Sequence, residues 1–343
     1  MTFFQIAGTT LVLSILVLFH EFGHFLAARL FGWEVEEFGI GYPPRLAGKK
    51  IGGTIFSLNL IPFGGFCGFS EEEMYSQPKR EQLGVMVAGI LANFVLGWLF
   101  FSTLFAVGYP YIEGEVSIEN VNAGSPAEEV GVSEGSLIVS VDGLEVKSRG
   151  DVFLRAQKRA GNEITLTVKN PNSGEFETFR LVPRKDPPPG QGPLGIDLDF
   201  EGEEKLERVS FFQAPLKGLR ESVFVLRDMV DGLSWMLGQL IFAGRVPTEI
   251  AGPVGVYSAT LQVSQMGIRY LVQFIAFLSL NLALFNILPL PALDGGQLVF
   301  VVVEVLQGKK VRTEVKQLIN AVGIALLVLL AILVTIQDVH RLL

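Results

Sequence analysis

The sequence predicts a polytopic α-helical membrane protein that carries one inserted α+β domain. Apolar residues make up 49% of the 343 residues, and the mean hydropathy of +0.44 is too high for an ordinary soluble chain of this length. Four apolar runs each approach the ~20 residues that a helix needs to cross a bilayer. A polar, acidic segment of roughly one hundred residues, the size of a small domain, separates the second run from the third.

The first two predicted spans cover residues 3–30 and 83–107. The third covers residues 270–288, with a broken continuation to residue 305, and the fourth covers residues 318–336. We expect the first span to remain in the mature protein, because no basic stretch precedes it and no small-residue cleavage site follows it.

Charge and cysteine content exclude several classes of protein. A net charge of −8 without a basic stripe argues against a nucleic-acid partner. Cys67 is the only cysteine, so the chain has no internal disulfide and no metal site built on several thiolates.

Basic residues in the short loops predict the orientation. They lie between the first and second spans and between the third and fourth, and short basic loops stay in the cytoplasm. Both termini and the polar domain should therefore lie outside. The basic residues are Arg45, Lys49, Lys50, Lys79, Arg80, Lys309, Lys310, Arg312 and Lys316.

Four regions follow from these features. Residues 1–108 hold the first two spans, and residues 113–207 form the inserted domain. Residues 208–268 contain an amphipathic helix, expected at the outer membrane interface, with a connecting segment. Residues 269–343 hold the last two spans.

The first span contains F-H-E-F-G-H-F, an H-E-x-x-H motif formed by His20, Glu21 and His24. On a helix the two histidines share one face and can bind one zinc ion, while the glutamate reaches a water molecule on that ion. Charged groups within a span cost about 2.5–3.5 kcal/mol each, which favours a functional role. The alternative is a pair of helix-packing histidines with a buried glutamate partner.

A zinc enzyme of this kind needs a third protein ligand. Asp294 is the only carboxylate in N-L-A-L-F-N-I-L-P-L-P-A-L-D-G-G, residues 281–296. Pro289 and Pro291 interrupt the helix there, and irregular backbone at membrane depth is tolerated where it is buried or lines a wet cavity. The predicted orientation places both segments toward the cytoplasmic side. The alternative is a loop aspartate that caps a following helix.

These paired motifs resemble the site-2 protease family of intramembrane zinc metalloproteases, in particular the bacterial regulator-of-sigma-E protease type. Supporting matches are P-F-G-G-F at residues 62–66, A-N-F at 92–94 and G-P-V-G at 252–255. The resemblance covers nearly the whole chain. One departure is Ile90, because the family often has proline between Gly89 and the A-N-F run.

The inserted domain resembles a PDZ domain through G-S-P-A-E-E-V-G-V at residues 124–132 and V-D-G at 141–143. G-P-L-G-I at residues 192–196 resembles the peptide-binding strand and stands at the end of the domain, as in the circularly permuted bacterial form. Only one such domain is found, where some relatives have two.

The resemblance implies one zinc ion per chain, bound by His20, His24 and Asp294, with Glu21 as the general acid and base. It implies a multi-pass protein of the bacterial plasma (inner) membrane, with the active site toward the cytoplasm and the PDZ domain outside. The substrates would be membrane proteins, such as anti-sigma factors or remnant signal peptides, that a site-1-type protease has already cut. The PDZ domain would bind or exclude substrate ectodomains.

Two further groups are candidate substrate-binding residues. The family places a membrane re-entrant β-hairpin at G-T-I-F-S-L-N-L, residues 53–60, and we expect its edge to pair with an unwound substrate. The alternative is a cytoplasmic surface hairpin. Asn281 and Asn286 would hydrogen-bond the freed substrate backbone, or else make polar contacts between helices. The hairpin residues concerned are Thr54, Ile55, Phe56, Ser57 and Leu58.

Two other functions fit parts of the sequence. A non-catalytic membrane scaffold could gather partners through the PDZ domain, although the complete set of ligands and Glu21 argue against it. A transporter could use the intramembrane histidines and aspartate, but transporters commonly show inverted repeats, and none is evident in this sequence.

Overall fold

The structure is a computed structural model that describes residues 3–70, 74, 76–146, 148–171, 173–188, 191–243 and 252–342. The chain divides into two compact units. One, here called the membrane unit, comprises Met1–Tyr109 and Arg208–Leu343, and the other, the inserted unit, comprises Pro110–Glu207. Residues 244–251, which belong to the predicted connecting segment, lie outside the described residues.

The membrane unit is built mainly from helices. In chain order its elements are α1 (Phe3–Leu30), β1 (Glu37–Ile51), β2 (Thr54–Gly68), α2 (Lys79–Val107), α5 (Ala214–Ala243), α6 (Pro253–Met266), α7 (Ile268–Ile287), α8 (Asp294–Gln307) and α9 (Thr313–Leu342). Within the part of the chain that the structure describes, four helices are long and apolar enough to cross a membrane: α1, α2, α7 and α9. The prediction of a polytopic membrane protein is confirmed. Helix α5 is not one of these four, and its place at the membrane interface stays a prediction.

Helix α2 is the centre of the membrane unit, because it packs against α1, α5, α7 and α8. Glycines let the backbones approach closely, as is usual between membrane helices. A Cβ atom on Gly23 would lie 2.4 Å from the Ala88 carbonyl oxygen, and one on Gly97 would lie 2.8 Å from the Leu280 side chain. Helices α1 and α7 are therefore held tightly against opposite parts of α2.

Strands β1 and β2 form a two-stranded sheet that folds back on itself, so that residues 37–40 lie between two parts of β2. Phe38, for example, pairs with both Phe56 and Cys67, while residues 47–51 pair with residues 54–58. Each residue of 55–58 therefore has strand neighbours on both sides.

This register corrects one prediction. Thr54–Leu58 were expected to offer a free edge to the substrate, but four of these five residues, 55–58, are interior to the sheet. Alternation alone could not reveal this, because it reports the two faces of a strand and carries no information about its edges.

The inserted unit is a six-stranded sheet with short helices. Its elements are β3 (Tyr109–Val121), which begins one residue before the unit, α3 (Pro126–Glu129), β4 (Leu137–Val141), β5 (Leu144–Glu145), α4 (Arg149–Lys158), β6 (Ile164–Lys169), β7 (Phe176–Leu181) and β8 (Ile196–Glu207). The strand order is β7-β6-β4-β3-β8, with β5 paired to β4. Val116, Ile118, Val141 and Leu166 are among the buried residues of a separate apolar core.

Candidate metal centre

Helix α1 places the two motif histidines one turn apart on the same face. Their side chains are about nine-tenths buried, and their rings meet edge to face with centroids 4.7 Å apart. The Nε2 atom of His24 lies 3.1 Å from the Nε2 atom of His20. The i, i+4 spacing therefore brings two ligand nitrogens to one point.

Asp294 reaches the same point from the first residue of α8. Its Oδ2 atom lies 3.0 Å from His20 Nε2 and 3.2 Å from His24 Nε2. The segment before it is irregular, and Ala292 has a φ of +72° in the left-handed region that residues with a Cβ rarely adopt. The break predicted from the prolines thus delivers the carboxylate to the histidines, across more than 260 residues of sequence.

The three atoms fit a single zinc ion. Zinc bonds of about 2.0–2.1 Å in a tetrahedron separate neighbouring ligand atoms by roughly 3.3 Å, close to the observed 3.0, 3.1 and 3.2 Å. The Asp294 Oδ2 atom is buried and accepts no hydrogen bond, although two ring nitrogens are near it. A carboxylate oxygen in that position is explained by a shared cation.

A backbone carbonyl fixes the orientation of His24. The Nδ1 atom of His24 lies 2.8 Å from the Val85 carbonyl oxygen on α2. Since that oxygen can only accept, Nδ1 must carry the proton, and a neutral ring then presents Nε2 as a ligand. Helix α2 thus supports the centre without contributing a side chain to it.

Gly89 leaves the space that the histidines occupy. A Cβ atom at this position would lie 2.3 Å from His24 Nε2 and 2.9 Å from His20 Cε1. No side chain larger than hydrogen fits beside the imidazoles while they hold these positions.

Glu21 lies beside the cluster and is held by the sheet. Its Oε2 atom accepts a hydrogen bond of 2.9 Å from the backbone N–H of Cys67 in β2. Among the described residues, 65–68 pair with 37–40 and have no strand neighbour on the other side, so this is the strand edge that meets the H-E-x-x-H helix. The carboxylate is oriented by a backbone donor that no sequence motif specifies.

The remaining predicted site residues are dispersed. Asn281 and Asn286 lie on α7, are half-buried and have no hydrogen-bond partner among the described residues, so the structure shows no helix–helix hydrogen bond for either amide. Thr54 and Ser57 are buried, at 1% and 4% exposure, while Leu58 is 52% exposed. Ile55 and Phe56 are half-buried within the sheet.

Sequence reasoning did not identify the supporting roles of Val85, Gly89 and Cys67. Two of them act through backbone atoms, which residue types do not reveal. Gly89 had a usable signal: it lies in a membrane span on the helix that must face the motif, and glycine there often marks a close approach.

Comparisons with known proteins agree with this geometry. The model of "Peptidase family M50" matches residues 8–330. The chain belongs to peptidase family M50. This confirms the predicted family, since that is the site-2 protease family.

Relatives of similar length support the same class of enzyme. A chain of Clostridium perfringens, named as a candidate zinc metalloprotease, is 32% identical over 96% of each chain. The chloroplastic membrane metalloprotease ARASP of Arabidopsis thaliana is 31% identical over 95% of this chain and 77% of its own. The predicted class of enzyme and its predicted metal agree with these names.

One solved structure similar to part of the chain is the PDZ domain of the SdrC-like protein from Listeria monocytogenes. The match has 23% sequence identity and a TM-score of 0.22, and it covers 24% of this chain and 85% of that one.

Proposed function

We propose that this protein is an intramembrane zinc metalloprotease that cleaves the transmembrane segments of single-pass membrane proteins. The observation that carries the proposal is the convergence of two imidazole Nε2 atoms and one carboxylate oxygen at mutual distances of 3.0–3.2 Å. The two histidines lie on α1, a candidate membrane span, and the chain belongs to a peptidase family.

In this proposal His20, His24 and Asp294 would hold the zinc. Bound zinc would supply Lewis acidity, which polarises the scissile carbonyl and makes water more acidic near neutral pH. Glu21 takes a proton from that water and later delivers it to the leaving nitrogen. The Cys67 N–H keeps the Glu21 carboxylate beside the histidines during both transfers.

The substrate must be presented as extended chain, because the peptide bonds of a helix are tied into its hydrogen-bond ladder. We propose that it lies along the edge of residues 65–68, since this edge meets Glu21 and has one unpaired side. The side chains of Asn281 and Asn286, which have no partner in the described structure, would donate hydrogen bonds to the freed substrate backbone.

We also propose that the β1–β2 sheet is a membrane re-entrant element. Its exposed apolar side chains support this role, since such side chains favour lipid over water: Ile40, Leu46, Ile51, Leu58, Leu60, Ile61 and Phe63 are each 44% or more exposed.

The proposed location is the bacterial inner membrane, with the metal centre toward the cytoplasm and the inserted unit outside. Ion pairs from Lys79 and Lys316 to Glu304 support this orientation, because they bring the starts of α2 and α9 together. Both predicted basic loops then lie on one side of the membrane, as the distribution of basic residues in such proteins requires.

For the inserted unit we propose a circularly permuted PDZ domain. Its last strand, β8, is an edge strand and lies beside α4, where Arg149 donates a 3.3 Å hydrogen bond to the Leu198 carbonyl oxygen. A substrate C-terminus left by an earlier, site-1-type cut could add to this edge. Alternatively, the unit could exclude bulky ectodomains by size.

The test compares membranes that carry wild-type protein with membranes that carry Glu21→Gln, and identifies new peptide termini within transmembrane segments. We expect such termini only with the wild type, while both proteins bind one zinc. His24→Ala should lose both zinc and cleavage, and His340→Ala, which changes an exposed histidine on α9, should lose neither. Equal cleavage by Glu21→Gln would refute the mechanism, and absence of stoichiometric zinc in the wild type would favour a scaffold.

A further inference from the structure

A second charged cluster lies in the membrane unit, apart from the metal centre. The Glu304 side chain on α8 is 2% exposed and pairs with Lys79 and with Lys316, whose Nζ lies 2.8 Å from Oε1. The backbone N–H of Val311 donates to the same oxygen at 2.8 Å. A buried carboxylate with three donors is well satisfied, and loss of one partner from a buried pair is strongly destabilising.

The partners of Glu304 come from different helices. Lys79 is the first residue of α2, Lys316 lies in the first turn of α9, and Val311 lies in the connection between α8 and α9. Lys79 also donates to the Gln82 side chain at 3.3 Å. One carboxylate therefore joins the ends of three helices.

The same two helices, α2 and α8, pack against each other, and each also reaches the histidines of α1 at the metal centre. Helix α8 begins with Asp294, and α2 supplies the Val85 carbonyl oxygen and the space at Gly89. Asp294 and Glu304 are separated by roughly 15 Å along the axis of α8, at 1.5 Å per residue. The ion pair of Glu304 with Lys79 therefore holds α8 against α2 at a point far from Asp294, and limits how far α8 can slide or rotate.

The position of Asp294 depends on this helix. The chain before it is irregular from the end of α7 at Ile287, and Ala292 has positive φ. Because Asp294 is the first residue of α8, a shift or rotation of this helix would move the carboxylate relative to the two histidines.

We infer that Glu304 is a positioning residue for the metal ligand Asp294: its ion pairs hold α8 against α2 and so set the distance from Asp294 to the two histidines. The inference rests on the proposed function, since it gives Glu304 a role in the geometry of the proposed zinc site. Among the described residues, the polar partners of Glu304 are Lys79, Lys316 and Val311, and none of them is a proposed metal ligand.

The test measures metal binding as well as cleavage. Zinc affinity is measured by competition with a chelator, and the cobalt-substituted protein reports ligand geometry through its absorption spectrum. For Glu304→Gln we expect zinc to bind about 10–100-fold more weakly, the range typical when the supports of metal ligands are removed, together with a changed cobalt spectrum. Glu304→Asp, which keeps the charge, should be intermediate.

A matched control separates positioning from general destabilisation. Asp338 on α9 is another buried carboxylate, 3% exposed, that accepts a 2.7 Å hydrogen bond from the Gly255 N–H at the start of α6. Asp338→Asn should lower thermal stability but leave zinc affinity and the cobalt spectrum unchanged. If Glu304→Gln does not fold, Lys79→Gln removes only one ion pair and should weaken zinc binding in the same direction.

The outcomes are distinguishable. Unchanged zinc affinity and an unchanged cobalt spectrum in a folded Glu304→Gln or Lys79→Gln protein would overturn the positioning role, even if stability fell. Equal weakening of zinc binding by Asp338→Asn would overturn it too. Failure of the wild type to bind zinc, or cleavage by Glu21→Gln, would instead overturn the proposed function.

Discussion

Substitution of Gly89 by alanine should destroy the metal centre while leaving the helices in place. The added Cβ would lie 2.3 Å from His24 Nε2. Ordinary contact begins near 3.5 Å, so the imidazole must retreat by about 1.2 Å. Metal sites tolerate ligand displacements of only about 0.2 Å.

The displacement is therefore roughly six times the tolerance of the site. We expect zinc affinity to fall by at least about 100-fold, and cleavage to fall similarly, because a misplacement of 1 Å at an active site costs on the order of 10²-fold. Metal analysis of purified protein, chelator competition and circular dichroism together measure the effect. Helical content should not fall, since alanine favours a helix over glycine by ~0.8–1.0 kcal/mol.

Gly232→Ala on α5 provides the control, because a Cβ atom there would meet nothing within 4 Å. It makes the same chemical change within a helix but should leave zinc binding and cleavage at wild-type levels. If Gly89→Ala binds zinc as tightly as the wild type, the packing argument for this centre is wrong.

Three further predictions concern the support of Glu21, the inserted unit and the buried charge cluster. Cys67→Pro removes the N–H that holds Glu21 and should slow cleavage roughly 10–100-fold with zinc retained, whereas Cys67→Ser should not; a hydrogen bond to a charged group contributes about 1.5–3 kcal/mol. Ser148→Ala removes the side-chain cap of α4 and should lower the unfolding free energy of the inserted unit by about 1 kcal/mol, measured by urea denaturation. Glu304→Gln should lower the melting temperature of the protein, because loss of one partner from a buried pair is strongly destabilising; an unchanged melting temperature would contradict the assignment.

The membrane helices could be predicted from the sequence because long apolar runs have few alternative structures. The second predicted span began at residue 83, whereas α2 begins at Lys79. The missed turn contains charged residues, which hydropathy excludes. Lys79, the first residue of that turn, pairs with Glu304 from a distant segment, a tertiary contact that local composition does not report.

The β1–β2 sheet could be predicted only in part from the sequence. The alternation at residues 53–60 indicated a strand, but β1 was not predicted, since Pro43, Pro44 and several glycines read locally as breakers. The pairing of residues 37–40 with two parts of β2 depends on contacts between segments. Which edge stays free, and therefore where a substrate could add, followed from that pairing and not from the pattern.

The side chains of the candidate metal centre could be predicted from the sequence, but the residues that hold them in place could not. The H-E-x-x-H spacing and the lone carboxylate at a proline break gave three groups whose ligand atoms the structure brings within 4.8 Å of one another. Glu304 had a signal of its own, a carboxylate within the apolar run Q-L-V-F-V-V-V-E-V-L-Q. Its partners, however, lie on other helices and could not be identified from that run.

X-ray absorption at the zinc edge of the purified wild-type protein tests the central claim most directly. The account predicts one zinc per chain with two imidazole nitrogens and a carboxylate oxygen at about 2.0–2.2 Å. His24→Ala should contain no stoichiometric zinc, whereas His340→Ala should keep the zinc and the wild-type spectrum. A sulfur neighbour at about 2.3 Å, or a zinc environment that is the same in His24→Ala, would contradict it.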